Sequence, residues 1–110
     1  MDFEYFDGDQ RCVGVLEQPD PAVFPGKRPG IVLVHEAWGL GAQVQRRAKM
    51  LAQLGFVALA ADIFGDRYIP RDPPDGMARI GIWLNDRPAL RRRAAAAHAL
   101  RRHGARQGSP

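Results

Sequence analysis

His35-Glu36-Ala37-Trp38-Gly39 is the stretch of this 110-residue chain whose residue types could do chemistry. It directly follows an apolar run, Ile31-Val32-Leu33-Val34, bounded by Pro29-Gly30. A short run dominated by β-branched residues reads as a strand buried on both faces. The polar loop therefore begins where a strand stops, and a sheet cannot satisfy all its N–H groups. In acyl-transfer sites built on parallel sheets, one oxyanion-hole N–H comes from the loop between the third strand and its helix. The Ala37 N–H is the candidate donor, Glu36 a charge able to tune a nucleophile, and Trp38 a pocket wall. The alternative is a solvated or locally hydrogen-bonded His35-Glu36 pair. The zinc motif H-E-x-x-H fails, because Gly39 stands where its second histidine belongs.

The elements around this loop must position it. Val44, Ala48, Leu51 and Leu54 fall at i, i+4, i+7 and i+10, one stripe of a helix, with Gln45, Arg46, Lys49 and Gln53 largely outside it. Gly55 closes that helix by taking a left-handed conformation. Phe56 to Ala60 is a second buried strand. Two such strands joined through a helix make a βαβ unit, so the sheet is expected to be parallel. Ligands gather outside the carboxyl ends of such strands, here His35 to Gly41 and Asp62 to Tyr68. Asp62 either holds a substrate or metal, or ties its turn to Phe64 and Gly65 through side-chain hydrogen bonds.

The remaining segments are simpler. Phe3–Phe6 and Arg11–Glu17, joined by Asp7-Gly8-Asp9, read as an amino-terminal hairpin. Gln18 to Arg28 holds Pro19, Pro21, Pro25 and Gly26 and reads as a surface loop. Ile69 to Gly76 reads as another, followed by a helical turn or two over Met77 to Leu84. Asn85 or Asp86 caps a last helix with Pro88 in its first turn, and Leu90, Ala94, Ala97 and Leu100 form its stripe. Arg101, Arg102 and His103 suit its carboxyl end, and Gly104 is expected to stop it.

Composition sets the outer limits. An apolar content of 45% supports one small domain, no run of eighteen apolar residues exists, and Met1-Asp2-Phe3-Glu4 lacks the basic start of a signal peptide. A soluble cytoplasmic protein is expected, with no membrane partner. A lone Cys12 excludes an internal disulfide, and three histidines without ligand spacing give no metal site. Residues 1–86 carry nine Lys/Arg against twelve Asp/Glu, whereas residues 87–110 carry seven arginines and no acid. That tail raises nucleic-acid binding as an alternative. Consecutive Arg91, Arg92 and Arg93 spread around a helix with no aromatic between them, which argues against it.

Residues 28–66, RPGIVLVHEAWGLGAQVQRRAKMLAQLGFVALAADIFGD, resemble the amino-terminal half of the dienelactone hydrolase family, a branch of the α/β-hydrolase fold. The carriers are the His-Glu-x-Trp-Gly loop, the helix after it and the Gly-aromatic-Val-Ala-Leu-Ala-x-Asp strand. Weaker similarity extends from about Tyr5 to about His103. The resemblance implies an α/β class with a partial α/β-hydrolase fold: hairpin, parallel βαβ unit and carboxyl-terminal helix in an incomplete three-layer sheet. Residues 1–103 would form that domain and residues 104–110 a disordered tail. It implies ester or lactone hydrolysis without a cofactor, through a Cys-His-Asp triad. Glu36 would match the glutamate that interacts with the nucleophilic cysteine, and Ala37 the oxyanion-hole residue. Trp38, Arg67 and Tyr68 are the candidate substrate contacts.

The nucleophile of this fold sits on a G-x-C-x-G or G-x-S-x-G elbow, and no such elbow occurs in the chain. Cys12 lies in the hairpin and Ser109 in the tail, while His98 and His103 fall on the last helix. An inactive half-site is therefore expected. The strand at Ile31–Val34 would have an unpaired outer edge, open to self-association or to a full-length relative.

Overall fold

The computed structural model describes the backbone of residues 1–107 and the side chains of residues 1–99. Strands β1 (Asp2–Asp7) and β2 (Gln10–Glu17) form the expected hairpin, with Tyr5 opposite Cys12. Strand β3 (Gly30–Val34) leads through helix α1 (Ala42–Gln53) to β4 (Val57–Ala61). The sheet order is β1-β2-β4-β3. Among the described residues pairing is parallel only between β3 and β4, where Gly30 faces Val57 and Val34 faces Ala61. β2 joins β4 antiparallel, so the sheet is mixed rather than parallel throughout. The helix α1 closes as its sequence demands. Gly55 sits at φ +102° and its N–H donates to Ala52 O, while Phe56 N–H donates to Leu51 O.

Apolar side chains fill both sides of the sheet. On one side, Val15, Leu40 and Ala60 pack with Leu33 of β3 and Val44 of α1. On the other, Tyr5, Cys12, Ala61, Ile63 and Ala97 pack with Phe3, Val32, Trp83 and Leu90, which brings in helices α2 (Pro73–Leu84) and α3 (Arg87–Gln107). The layers are thus helix, sheet and helix pair.

Three expectations need correction. β4 is buried from Ala58 to Ala61, but β3 is only half-buried and its Val34 is 44% exposed. No strand lies beyond β3 among the described residues, and α1 packs over β4 and β2 more than over β3. Second, the loop expected up to Gly76 ends at Asp72. Its side chain accepts from Asp75 N–H at 2.9 Å, and prolines occupy first-turn positions, where no N–H is needed. Third, α3 runs past Gly104 to Gln107. A glycine mid-helix costs only about 1 kcal/mol. The tail expected from residue 104 extends outside the described residues.

Asp86 is the cap of α3, its Oδ1 accepting from Ala89 N–H at 3.2 Å. Two tail arginines then fasten this helix to the sheet. Asp7 accepts from Arg92 Nε at 2.9 Å and from Arg93 Nε at 3.0 Å, and Arg93 Nη1 donates to Ile63 O at 2.7 Å. The Arg93 guanidinium also lies 4.4 Å from the Trp83 ring centre. Hydrogen bonding, from Arg92 foremost, holds the Asp7 carboxyl below its ordinary value. No helix of the described residues is long and apolar enough to cross a membrane.

Candidate functional site

The loop at the end of β3 is built by its first residue. The ring of His35, 3% exposed, bridges the two parallel strands: Ile63 N–H donates to Nε2 at 3.1 Å, and Nδ1 lies 2.8 Å from Glu36 O. An N–H can only donate, so Nε2 is unprotonated and the proton sits on Nδ1, donated to Glu36 O. Burial also holds the ring pKa below its ordinary value. The Phe64 ring meets the imidazole edge-on, centres 4.7 Å apart. His35 is therefore a neutral brace with both nitrogens occupied, not a base.

From this brace the chain turns sharply. Gly39 N–H donates to Glu36 O at 3.2 Å, which places Ala37 and Trp38 at the corners of a β-turn, and Gly39 itself takes φ +81°. A side chain at Gly39 would press on Tyr68 O, 3.0 Å from the Cβ position. On the inner side α2 closes in: a Cβ on Gly76 would stand 2.5 Å from Ala37 O. Ala37 is buried, while Glu36 and Trp38 on either side of it are exposed. Among the described residues nothing accepts from the Ala37 N–H. Glu36 likewise has no ion pair there.

In the companion loop after β4 the N–H groups of Ile63, Gly65, Asp66, Arg67 and Tyr68 all donate within the fold. Asp62, 1% exposed, accepts from Val13 N–H at 2.9 Å, Gly65 N–H at 3.1 Å and Arg67 N–H at 2.7 Å. It ties the turn, the second of the two roles open to it, though to Gly65 rather than to Phe64. Arg67 reaches back to Asp2 Oδ1 at 3.3 Å and to the carbonyls of Leu40 and Val13, each at 3.4 Å. Tyr68 donates its hydroxyl to Asp75, and Arg79 stacks on its ring at 3.7 Å while pairing with Asp75 at 3.0 Å. The Tyr68 hydroxyl, with the Arg71 N–H and Arg79, pulls the Asp75 carboxyl down to about 2.

A cleft of about 260 Å³ opens beside the β3 loop. Val34, His35, Glu36, Trp38 and Gly39 line it from the strand side, and Gly41, Ala42, Gln43, Val44 and Arg47 from α1. Glu36 and Trp38 are thus brought together on the cleft, whereas the buried Ala37 between them, Arg67 and Tyr68 are not among its lining residues. Gln43 and Arg47 were missed by reading the chain for its apolar stripe alone. The signal lay in their spacing of four residues at the start of the helix, next to the polar loop. Among the described residues no cluster of three or more His, Cys, Asp or Glu could hold a metal.

The profile of the dienelactone hydrolase family matches residues 13–108. This chain belongs to that family. The YghX protein of Escherichia coli (strain K12) is 34% identical over 61 residues, 56% of this chain and 41% of that protein. A dienelactone hydrolase-like promiscuous phosphotriesterase from metagenomic libraries has a similar crystal structure, with a TM-score of 0.75 and 40% identity over 88% of this chain. The solved structure named m3DLH gives a TM-score of 0.77 and 36% identity over the same share. This family member spans 39% and 41% of those two chains.

Within the described residues of this dienelactone hydrolase relative, no side chain is placed as a nucleophile at the cleft. Cys12 is fully buried in the hairpin, where burial pushes its thiol up to about 11. It serves as a core residue, as a small buried hydrophobe should. His98 lies on α3, half-buried and away from the cleft. His103 and Ser109 fall outside the described side chains.

Proposed function

We propose that this chain supplies the oxyanion-stabilising wall of a dienelactone-hydrolase-type site, an esterase site in which an ester or lactone carbonyl lies against the β3 loop. The observation that carries this reading is the unpaired Ala37 N–H, held on a braced turn between two residues of the cleft. In acyl transfer the carbonyl oxygen gains negative charge as the nucleophile adds, and a preplaced N–H stabilises that charge without reorganising. Glu36 sets the field felt by the nucleophile, and Trp38 walls the substrate. Arg67 and Tyr68, whose polar atoms are committed to the fold, support the loop rather than touch substrate. The reaction needs no cofactor: hydrolysis runs through a covalent acyl-enzyme.

The nucleophile, its base and the orienting acid come from outside the described residues, so the chain alone turns over no ester. Arginine-rich α3 has a structural use in the clamp of Arg92 and Arg93 on Asp7, which weakens a nucleic-acid reading. The free buried thiol of Cys12 suits a reducing compartment, and we place the protein in the cytoplasm.

Hydrolysis of p-nitrophenyl acetate tests the first part: purified chain should match buffer, and turnover abolished by Glu36→Gln would show the chemistry misplaced. A chimera tests the second, joining this chain to the remaining part of the 40% identical relative. Ala37→Pro removes one N–H at a turn corner that favours proline. It should cut the chimera's kcat by about 100-fold or more. An undiminished rate would remove Ala37 from the site.

A further inference from the structure

Two glycines flank the turn that carries the Ala37 N–H, and one stretch of chain lies against both. A side chain on Gly39 would meet Tyr68 O at 3.0 Å, Ile69 Cδ1 at 3.2 Å and Pro70 Cδ at 3.2 Å. A side chain on Gly76 would meet Ala37 O at 2.5 Å and Pro70 Cβ at 3.5 Å. Residues 68–70 therefore touch the end of the turn on one side and the first turn of α2 on the other. Gly76 is buried inside regular helix, where glycine costs stability relative to alanine, so the close approach of Ala37 O is what calls for it. The Ala37 carbonyl meets the backbone of α2 with no side chain between them.

One half-buried carboxylate staples this arrangement together. Asp75, next to Gly76, accepts the Tyr68 hydroxyl and, at 3.0 Å, the Arg71 N–H through Oδ2, and it pairs with Arg79 Nε at 3.0 Å through Oδ1. Arg79 in turn stacks on the Tyr68 ring, 3.7 Å from its centre. The Asp75 N–H donates to the Asp72 cap at 2.9 Å. Residues 68–71 and the start of α2 are thus joined through a single side chain. An ion pair near the surface adds little stability by itself, but several directional bonds on one carboxylate fix geometry.

We infer that Asp75 and Gly76 are positioning residues for the Ala37 N–H: Asp75 locks residues 68–71 to α2, and Gly76 seats the locked helix against Ala37 O, which sets the tilt of the turn. The inference rests on the oxyanion reading above. The N–H and C=O of Ala37 belong to neighbouring peptide planes that meet at one Cα, so displacing the carbonyl swings the N–H off the line of a developing oxyanion. Neither residue lines the cleft. His35 holds the turn from the strands by accepting Ile63 N–H and bonding Glu36 O, and Asp75 holds it from α2 through Ala37 O.

NMR on the purified full chain tests the grip without turnover. Gly76→Ala should shift the Ala37 and Gly39 amide resonances and speed exchange of the Gly39 N–H about tenfold, while the Ile63 N–H, held by His35, keeps its protection. Met77→Ala, one residue along α2 and exposed, should move neither amide. If Gly76→Ala does not fold, Tyr68→Phe, which removes a single oxygen, gives the same readout. In the chimera with the 40% identical relative, Asp75→Asn should lower kcat about tenfold with KM unchanged, because a misaimed donor weakens only the transition state. Tyr68→Phe should do the same, and the double variant should be no slower than either, since the two side chains act as one unit. Unmoved Ala37 and Gly39 amides, a Met77→Ala effect as large as that of Gly76→Ala, or a rise in KM at constant kcat would overturn the inference. An undiminished rate in Ala37→Pro removes the oxyanion reading itself. With that rate reduced, an unchanged kcat in Asp75→Asn overturns the positioning role alone.

Discussion

Two loops stand side by side at the carboxyl tips of parallel strands, and they use their polar groups in opposite ways. After β4, one buried carboxylate, Asp62, gathers three N–H donors, and Arg67 spans to Asp2, Val13 and Leu40. After β3, the Ala37 N–H and the Glu36 carboxylate are left without a protein partner among the described residues. The difference follows from division of labour. A group already satisfied by the fold has nothing to offer a ligand, whereas a rigidly held unsatisfied donor is poised to bind charge at little reorganisation cost. The β4 loop, with the His35 ring as the strut between them, supplies the rigidity that lets the β3 loop stay incomplete.

The sharpest way to break this comparison is to remove the carboxylate that gathers the β4 loop. Asp62→Ala strands three N–H groups, two of them from the turn itself, in a buried setting. Urea unfolding should show a loss of about 3–5 kcal/mol. A loss under about 1 kcal/mol would mean water replaces the carboxylate and the loop is not the support it is taken to be.

How much of this contrast the chain itself declares depends on the range of the interactions. The β3-α1-β4 unit is legible because periodicity and a closing glycine are local signals, and Gly55 at φ +102° is where the sequence puts it. Asp62 is half legible: an acid at a strand end two residues before Phe64-Gly65 suggests a turn tie, and Gly65 N–H provides it. Its bond to Val13, 49 residues away, is invisible without knowing that β2 lies beside β4. For the same reason His35 looked like a candidate for chemistry; its partner Ile63 becomes a neighbour only when the parallel strands align. Helix α2 was obscured by Pro73-Pro74 and Gly76, residues that break helices mid-way. Here the prolines occupy the first turn, and the glycine is required by contact with Ala37 O. The clamp of Arg92 and Arg93 on Asp7, 85 and 86 residues away in the chain, is likewise a product of the assembled fold.

The strut gives a second, smaller effect, through pH. His35 is neutral in the folded protein and burial lowers its pKa, so between its folded value and the ordinary value of about 6.5 the unfolded chain binds more protons than the folded one. Its contribution is fully present above pH 6.5 or so and is lost as pH falls through the folded pKa. Stability should therefore decline with acid below about pH 6.5, and His35→Gln should flatten that slope relative to its own value at neutral pH. Equal slopes in the two proteins would show that the ring is not buried neutral between the strands.

The smallest effect is the most discriminating. If the β3 loop is held from below by His35 and from the sides by Gly39 and Gly76, the exposed Glu36 carboxylate contributes nothing to holding it. Its backbone carbonyl, which accepts from Gly39 N–H and the His35 ring, is untouched by a change of side chain. Glu36→Ala should then shift the unfolding free energy by less than about 0.5 kcal/mol. The same change at Asp62 costs several-fold more, though both are acids one or two residues beyond the tips of adjacent strands. A loss at Glu36 comparable to that at Asp62 would mean that both loops are scaffold, and the free carboxylate at the cleft would lose its claim to a role in chemistry.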